Sequence, residues 1–252
     1  MSIATYYSRI DGTEFKDAER QFRTHLTPGL PAIIRLDGRA FHTYCKGLNR
    51  PFDEQFIEDM NQMTVALAEQ IDGVRLAYVQ SDEASLLLLP NLEGSFQFAG
   101  QVQKLVSISA AIATATFNAR RLGTATDKVA LFDARAFTLP DMDAVQRYFE
   151  WRQADARVNA LGMLASAHFP HKQLLGVGSR GRAAMLREKG IEPDDLPAGF
   201  IHGRVVLREP VQKQTTYLDR RTGKTSTVDF VRMEPFIEPA PSFQNGLEAA
   251  WF

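Results

Sequence analysis

Cysteine is nearly absent from this 252-residue chain, where Cys45 stands alone. That excludes an intrachain disulfide framework and any cysteine-rich zinc site, and it suits a reducing compartment, so the cytoplasm is the expected location. Neither sign of charge is in excess: 29 Lys and Arg against 30 Asp and Glu leave a formal charge of −1. A field spread over the whole molecule therefore cannot attract nucleic acid, and any such contact must come from a local cluster of Lys and Arg. Nowhere do ~18 apolar residues run uninterrupted, and the opening Met1 to Arg9 stretch has no apolar run behind a basic cluster, so neither membrane spanning nor secretion is expected. Low-complexity tracts, internal repeats and flexible linkers are missing as well. What is present is 44% hydrophobic and 23% charged, the balance of a globular chain long enough to bury a proper core.

The character of the chain changes near residue 138, from strongly patterned sequence to a more broken, basic and Pro-containing remainder. A core over 1–138 with an elaboration over 139–252 is the expected organisation. Ala32 to Leu36 reads as a strand that starts after Pro31 and ends in Asp37-Gly38. Phe56, Ile57, Met60, Met63, Leu67 and Ile71 follow at helical spacing behind Asp53 and Glu54, closed by Asp72-Gly73, a helix of about five turns. Val74 to Gln80 and Ala84 to Leu89 flank Ser81-Asp82-Glu83, a hairpin with acids at its tip. A second helix over Val102 to Arg121 and a strand over Lys128 to Phe137 complete the order β-α-β-β-α-β. This is the split βαβ, ferredoxin-like arrangement of an α+β fold, an antiparallel sheet with two helices on one face. Beyond it, Asp141 to Ala167 reads as mostly helical and Ala183 to Lys189 as a short helix. Gly203 to Val231 reads as paired strands around Thr222-Gly223-Lys224.

In that topology the first strand and the hairpin are neighbours, so Asp37 and Asp82 meet at one end of the sheet. An Asp-Gly turn or an acid at a hairpin tip is, taken singly, usually only a solvated turn. Two carboxylates converging with Glu83 as a third point instead to divalent metal. Phosphoryl transfer needs charge neutralised on the attacking oxygen and on the departing pyrophosphate, and two Mg²⁺ ions about 3.5–4 Å apart with oxygen ligands supply this. Gly38, without a Cβ, lets the backbone come close to a metal or phosphate.

Three blocks carry a family resemblance: Arg35-Leu36-Asp37-Gly38-Arg39-Ala40-Phe41-His42, Ala77-Tyr78-Val79-Gln80-Ser81-Asp82-Glu83-Ala84-Ser85, and Trp151-Arg152-Gln153-Ala154-Asp155. In this order, over roughly residues 30 to 165, they resemble the motifs of the tRNA-His guanylyltransferases and their bacterial and archaeal relatives, the 3′-to-5′ polymerases. The resemblance implies a polymerase-like palm with two Mg²⁺ held by Asp37, the backbone of Gly38, and Asp82. It implies an enzyme that activates an RNA 5′-phosphate with ATP or GTP and then joins an incoming nucleotide through its 3′-hydroxyl. Ser81 and the Asp37, Gly38, Arg39, Ala40, Phe41, His42 stretch would line the nucleoside triphosphate, Glu83 would support the metals, and Arg50 and Lys104 would meet phosphate. A homo-oligomer, commonly a tetramer, is implied in the same way. One departure stands out. The tRNA-His enzymes follow the third block with His-Ile-Asn-Asn-Leu-Tyr-Asn, whereas this chain has Arg157-Val158-Asn159-Ala160-Leu161-Gly162-Met163. Relatives lacking that stretch resemble template-dependent enzymes that repair tRNA 5′ ends, and repair is the favoured expectation here over tRNA-His-specific G addition.

Two other readings compete: a cyclase-type palm acting on nucleotides alone, and a non-catalytic RNA-binding module that stacks bases on strand aromatics. Only Tyr78 among the central strands offers such an aromatic. Gly176-Val177-Gly178-Ser179-Arg180-Gly181 matches a dinucleotide-binding pattern without a surrounding βαβ unit, so Arg180, Arg182, Arg187 and Lys189 read as a basic helix start facing RNA phosphate or solvent. His168 and His171 lack a third zinc ligand and read as surface residues. Lys213, Arg220, Arg221 and Lys224 gather near a hairpin that either grips a tRNA arm or is simply solvated.

Overall fold

Pro31 leads into a run whose alternate residues are buried on opposite sides, and this run is the centre of the sheet. The structure is a computed structural model that describes residues 12–122, 128–218, 220–248 and 251; the opening Met1 to Arg9 stretch lies outside the described residues. Helix α1 spans Thr13–Arg20, strand β1 Ala32–Gly38, helix α2 Glu54–Gln70, β2 Val74–Gln80, β3 Glu83–Leu88, α3 Val102–Arg120, β4 Phe132–Thr138, α4 Met142–His168, α5 Ser179–Glu188, β5 Arg204–Leu218 and β6 Thr225–Pro239. The six strands form one antiparallel sheet in the order β4-β1-β3-β2-β5-β6.

Periodicity sets which side each residue takes. Ala32, Ile34 and Leu36 of β1, with Ala84, Leu86 and Leu88 of β3, pack against Met60, Met63 and Leu67 of α2 and Leu105, Ala113 and Phe117 of α3. Ile33 and Leu87 face the other way, onto Val145, Tyr148 and Phe149 of α4. The helices thus cover both faces of the sheet, two on one side and α4 on the other. Each large apolar side chain fully buried contributes roughly 1.5–3 kcal/mol. A one-residue slip of β1 would exchange its two sets of side chains, so the two cores fix the register.

Local chemistry sets the helix starts. The Asp53 carboxylate accepts the Phe56 N–H at 2.8 Å to cap α2, and Asp141 accepts that of Ala144 at 2.7 Å to cap α4. Buried Asp59 on α2 pairs with Arg121 at 2.7 Å and Arg120 at 2.9 Å, tying α2 to the C-terminal end of α3.

Three boundaries differ from the sequence reading by more than two residues. Strand β4 starts at Phe132 rather than Lys128, α5 starts four residues early at Ser179, and β6 continues past Val231 to Pro239. Strand β5 pairs with β2 only from Val79↔Arg204 to Ala77↔Val206, and the rest of β5 and β6 pair only with each other as an exposed ribbon.

Candidate active site

The register of the sheet brings the acids together. Asp37, one residue before the end of β1, stands opposite Glu83 on β3 and Asp133 on β4. Asp82 lies in the two-residue turn between β2 and β3, where Ser81 takes a left-handed φ of 47°. The Gly38 N–H donates to the Asp82 carbonyl at 3.0 Å, which fastens the end of β1 to the hairpin tip. The Ser81 hydroxyl donates to the Asp82 carboxylate at 3.1 Å.

The acids are not equivalent. Arg152 of α4 donates to both Glu83 oxygens, Nε to Oε1 at 2.7 Å and Nη2 to Oε2 at 2.7 Å, and also reaches Asp155 at 2.8 Å. The Ser85 hydroxyl lies 2.8 Å from that of Tyr148 in the same buried cluster. Burial pushes the Glu83 carboxyl upward while Arg152 and Arg35 oppose it, and the fork-to-fork pairing is of the kind that favours the charged form. Glu83 is therefore occupied: it holds the tip against α4. Asp133 pairs with Arg135 at 3.3 Å. Asp37 and Asp82, by contrast, have no ion-pair partner among the described residues. Burial, and then the negative charge of Asp37, raise the Asp82 carboxyl above its ordinary value, against the pull of backbone and Ser81 hydrogen bonds.

Two carboxylates without protein cations, beside the backbone of Gly38, are hard oxygen donors of the kind Mg²⁺ takes when waters and substrate phosphates complete its shell. They fit such an ion. No cluster of three or more His, Cys, Asp or Glu suited to a metal occurs among the described residues.

A cavity of about 940 Å³ opens beside the tip, lined by Gly38, Ala40, Phe41, His42, Arg50, Ser81 and Asp82 on one side and by Asn159, Met163, His171 and Arg182 on the other. Asp37 and Arg39 flank Gly38 without lining it. The Phe41 ring is committed to packing against Tyr44, Phe56, Phe117 and Phe132. A Cβ on Gly38 would fall 2.4 Å from that ring, so this glycine is required by the aromatic behind it. Burial pushes the Cys45 thiol, also in the lining, to about 11, leaving it protonated and no nucleophile at neutral pH.

Lys104 is not brought to this site. It lies in the first turn of α3, its ammonium 5.9 Å from the centre of the Phe98 ring, beside a separate depression with Glu19, Phe22 and Arg23. It is Phe117, thirteen residues or roughly 20 Å further along the helix, that touches Phe41 at the site end. Gly176-x-Gly178 follows a helical turn at His171–Leu174 and not a strand, so the dinucleotide pattern has no structural counterpart. His168 and His171 are exposed. Lys213 pairs with Glu234 and Arg187 with Glu192 and Asp194.

The sequence reading passed over Arg152, Gln153 and Arg204. Gln153 donates to the carbonyls of His202 and Pro241 and accepts the Phe243 N–H, fastening the chain after β6 to α4. Arg152 and Gln153 did have a signal, their place in the Trp151 to Asp155 block. Arg204 had none.

Residues 12–140 match the family described as tRNAHis guanylyltransferase. A bacterial tRNA(His) guanylyltransferase (Thg1)-like protein solved in complex with ATP superposes with a TM-score of 0.75 at 39% identity, covering 79% of this chain and 86% of that one. Another such structure, in complex with GTP, gives a TM-score of 0.75 at 30% identity over 93% and 94% of the two chains. The tRNA(His) guanylyltransferase 2 of Arabidopsis thaliana is 30% identical over 212 residues, 78% of this chain. The chain spans 39% and 35% of the lengths of the two Arabidopsis relatives it matches.

Proposed function

The chain belongs to the tRNA-His guanylyltransferase family, and from that premise we propose that it is a Mg²⁺-dependent nucleotidyltransferase that extends tRNA at the 5′ end. The single observation that carries the chemistry is the sorting of carboxylates at the sheet end: Glu83 is neutralised by Arg152, while Asp37 and Asp82 are left for a cation. Two bound Mg²⁺ ions would supply charge neutralisation at the attacking oxygen and the departing pyrophosphate. Asp37, Asp82 and the Gly38 backbone hold them, Glu83 and Arg152 fix the tip on which Asp82 sits, and Ser81 with the Ala40 to His42 turn borders the nucleotide. Arg50, exposed at the cavity rim, meets phosphate.

The strand order β4-β1-β3-β2 supports a ferredoxin-like palm over 1–138, with 139–252 as the elaboration that contacts tRNA. GTP and ATP are the nucleotides, in line with those bound by the bacterial relatives. A homo-oligomer, a tetramer by resemblance, and a cytoplasmic location complete the reading. No helix among the described residues is long and apolar enough to cross a membrane.

Templated repair of truncated 5′ ends is favoured over tRNA-His-specific G addition. Arg157, which replaces the histidine opening the tRNA-His stretch, donates from Nε to His202 Nδ1 at 3.1 Å and so is held to the segment before β5. A base-stacking module is disfavoured because both sheet faces are covered, and Tyr78 is only 1% exposed beneath Phe149 and Phe243. The test is incubation with 5′-monophosphorylated tRNAs, full-length and lacking the first nucleotide, with each nucleoside triphosphate in turn. Addition of only the complementary nucleotide to the truncated tRNA is expected, and it should be lost in Asp37→Ala and Asp82→Ala. Products from GTP without RNA would indicate cyclase chemistry instead, and G addition to tRNA-His alone would overturn the repair assignment.

A further inference from the structure

We infer that Arg204 is a phosphate-binding residue of the cavity, receiving a phosphate of the nucleotide or of the RNA 5′ end. The inference rests on the nucleotidyl-transfer reading and adds to it a receptor that the family motifs do not contain. Three arginines are buried among the described residues: Arg121, Arg152 and Arg204. Arg121 faces Asp59 at 2.7 Å, and Arg152 faces Glu83 at 2.7 Å. Arg204, 8% exposed and in the cavity lining, has no carboxylate within ion-pair distance among the described residues. Glu58 lies one step removed, accepting from the Asn61 amide at 3.2 Å.

Two of its three nitrogens are held. Nε donates to Asn61 Oδ1 at 2.7 Å and Nη1 to the Gly199 carbonyl at 2.8 Å, whereas Nη2 is buried and without an acceptor among the described residues. Burial pushes its pKa down to about 10, so the group is still charged at neutral pH. A fixed guanidinium with one donor to spare and no counter-ion is complementary to an anionic oxygen acceptor, and phosphate is the anion for which arginine is best suited. The position agrees. Arg204 stands opposite Val79, three residues before Asp82, and both Arg204 and Asp82 line the cavity without an ion pair between them. A phosphate held there therefore lies in the same cavity as the proposed metal-binding corner.

The experiment compares wild type with Arg204→Gln in two arms, each pairing a phosphorylated ligand with its unphosphorylated counterpart: GTP against guanosine, and 5′-monophosphorylated against 5′-hydroxyl truncated tRNA. Loss of a charge-assisted hydrogen bond should lower the preference for phosphate about tenfold or more in at least one arm. Binding of the unphosphorylated ligand should change little. The arm that responds identifies the source of the phosphate. An unchanged preference in both arms, with nucleotide addition intact, overturns the inference and leaves the functional reading standing. Wild type that binds neither phosphorylated ligand overturns both. If Arg204→Gln does not fold, crystals of the wild-type protein with GTP and with the tRNA decide: a phosphate oxygen within about 3.2 Å of Nη2 supports the assignment, and its absence in both rejects it.

Discussion

One guanidinium, that of Arg152, holds both carboxylate oxygens of Glu83 at 2.7 Å each, joining residues 69 positions apart in the chain. Glu83 begins β3 directly after the hairpin tip, so the clamp sets where Asp82 stands relative to β1. Removing one partner from a buried ion pair leaves the other uncompensated, at a cost of about 3–5 kcal/mol. Arg152→Ala should therefore lower the unfolding free energy by that order in denaturant titration and abolish nucleotide addition. Replacing both partners, as Glu83→Gln with Arg152→Met, should restore much of the stability. If the single and double variants are equally unstable, the clamp is not the source of the loss.

Asp37 and Asp82 repel each other at the sheet end. Asp82→Asn should leave the apo protein at least as stable as wild type at neutral pH, since it removes a buried charge and a like-charge contact. Nucleotide addition should nevertheless fall by about 10²-fold or more, because stabilisation of transition-state charge by metal is worth several kcal/mol. Adding Mg²⁺ should raise the thermal midpoint of wild type and not that of the variant. A variant that is both less stable and still Mg²⁺-responsive would remove Asp82 from the metal site.

Gly38→Ala places a methyl 2.4 Å from the Phe41 ring. Overpacking of this kind costs about 1–3 kcal/mol. Phe41→Leu in the same chain should recover part of it, giving a coupling energy measurable in a double-mutant cycle. Strictly additive effects would mean that the strand end moves instead of the ring.

His202 accepts a hydrogen bond at Nδ1 from Arg157, and burial, then the Arg157 charge, holds its pKa below the ordinary value. A base whose folded-state pKa is depressed contributes stability above its unfolded value. That stability is lost as pH falls from about 6.5 through the folded value. His202→Gln, whose amide oxygen accepts from Arg157 without titrating, should match wild type above about pH 7.5 and lose less stability on acidification. Thermal midpoints measured from pH 5 to 8 check this, and parallel curves would exclude His202 as the titrating group.

How much of this was legible in the sequence depends on the range of the forces involved. The β-α-β-β-α-β order was readable because alternating and helical periodicity are local, and so was the acidic hairpin tip. Alternation in the sequence reaches only Val231, yet β6 runs on through Pro235 to Pro239, since it is the edge strand and can omit a hydrogen bond on its open side. The commitment of Glu83 to Arg152 was not readable, because a helix residue and a strand residue so far apart leave no spacing signal. Nor was the lone charge of Arg204, since whether a guanidinium has a counter-ion is a fact of packing. Lys104 reads as a phosphate ligand from its place at the start of the second helix; within one chain the length of α3 separates it from the Phe41 end of the site.

The ribbon of β5 and β6 has a mechanical consequence. Its first residue, Arg204, is part of the cavity wall, while the exposed stretch from Arg208 to Leu218 carries the chain roughly 35 Å further. Such a boom is rooted beside the chemistry but shares none of its ladder with the sheet's centre. Shortening its free end leaves the root pairs Val79↔Arg204 and Ala77↔Val206 untouched, so reach and reaction are separate degrees of freedom, open to change one without the other.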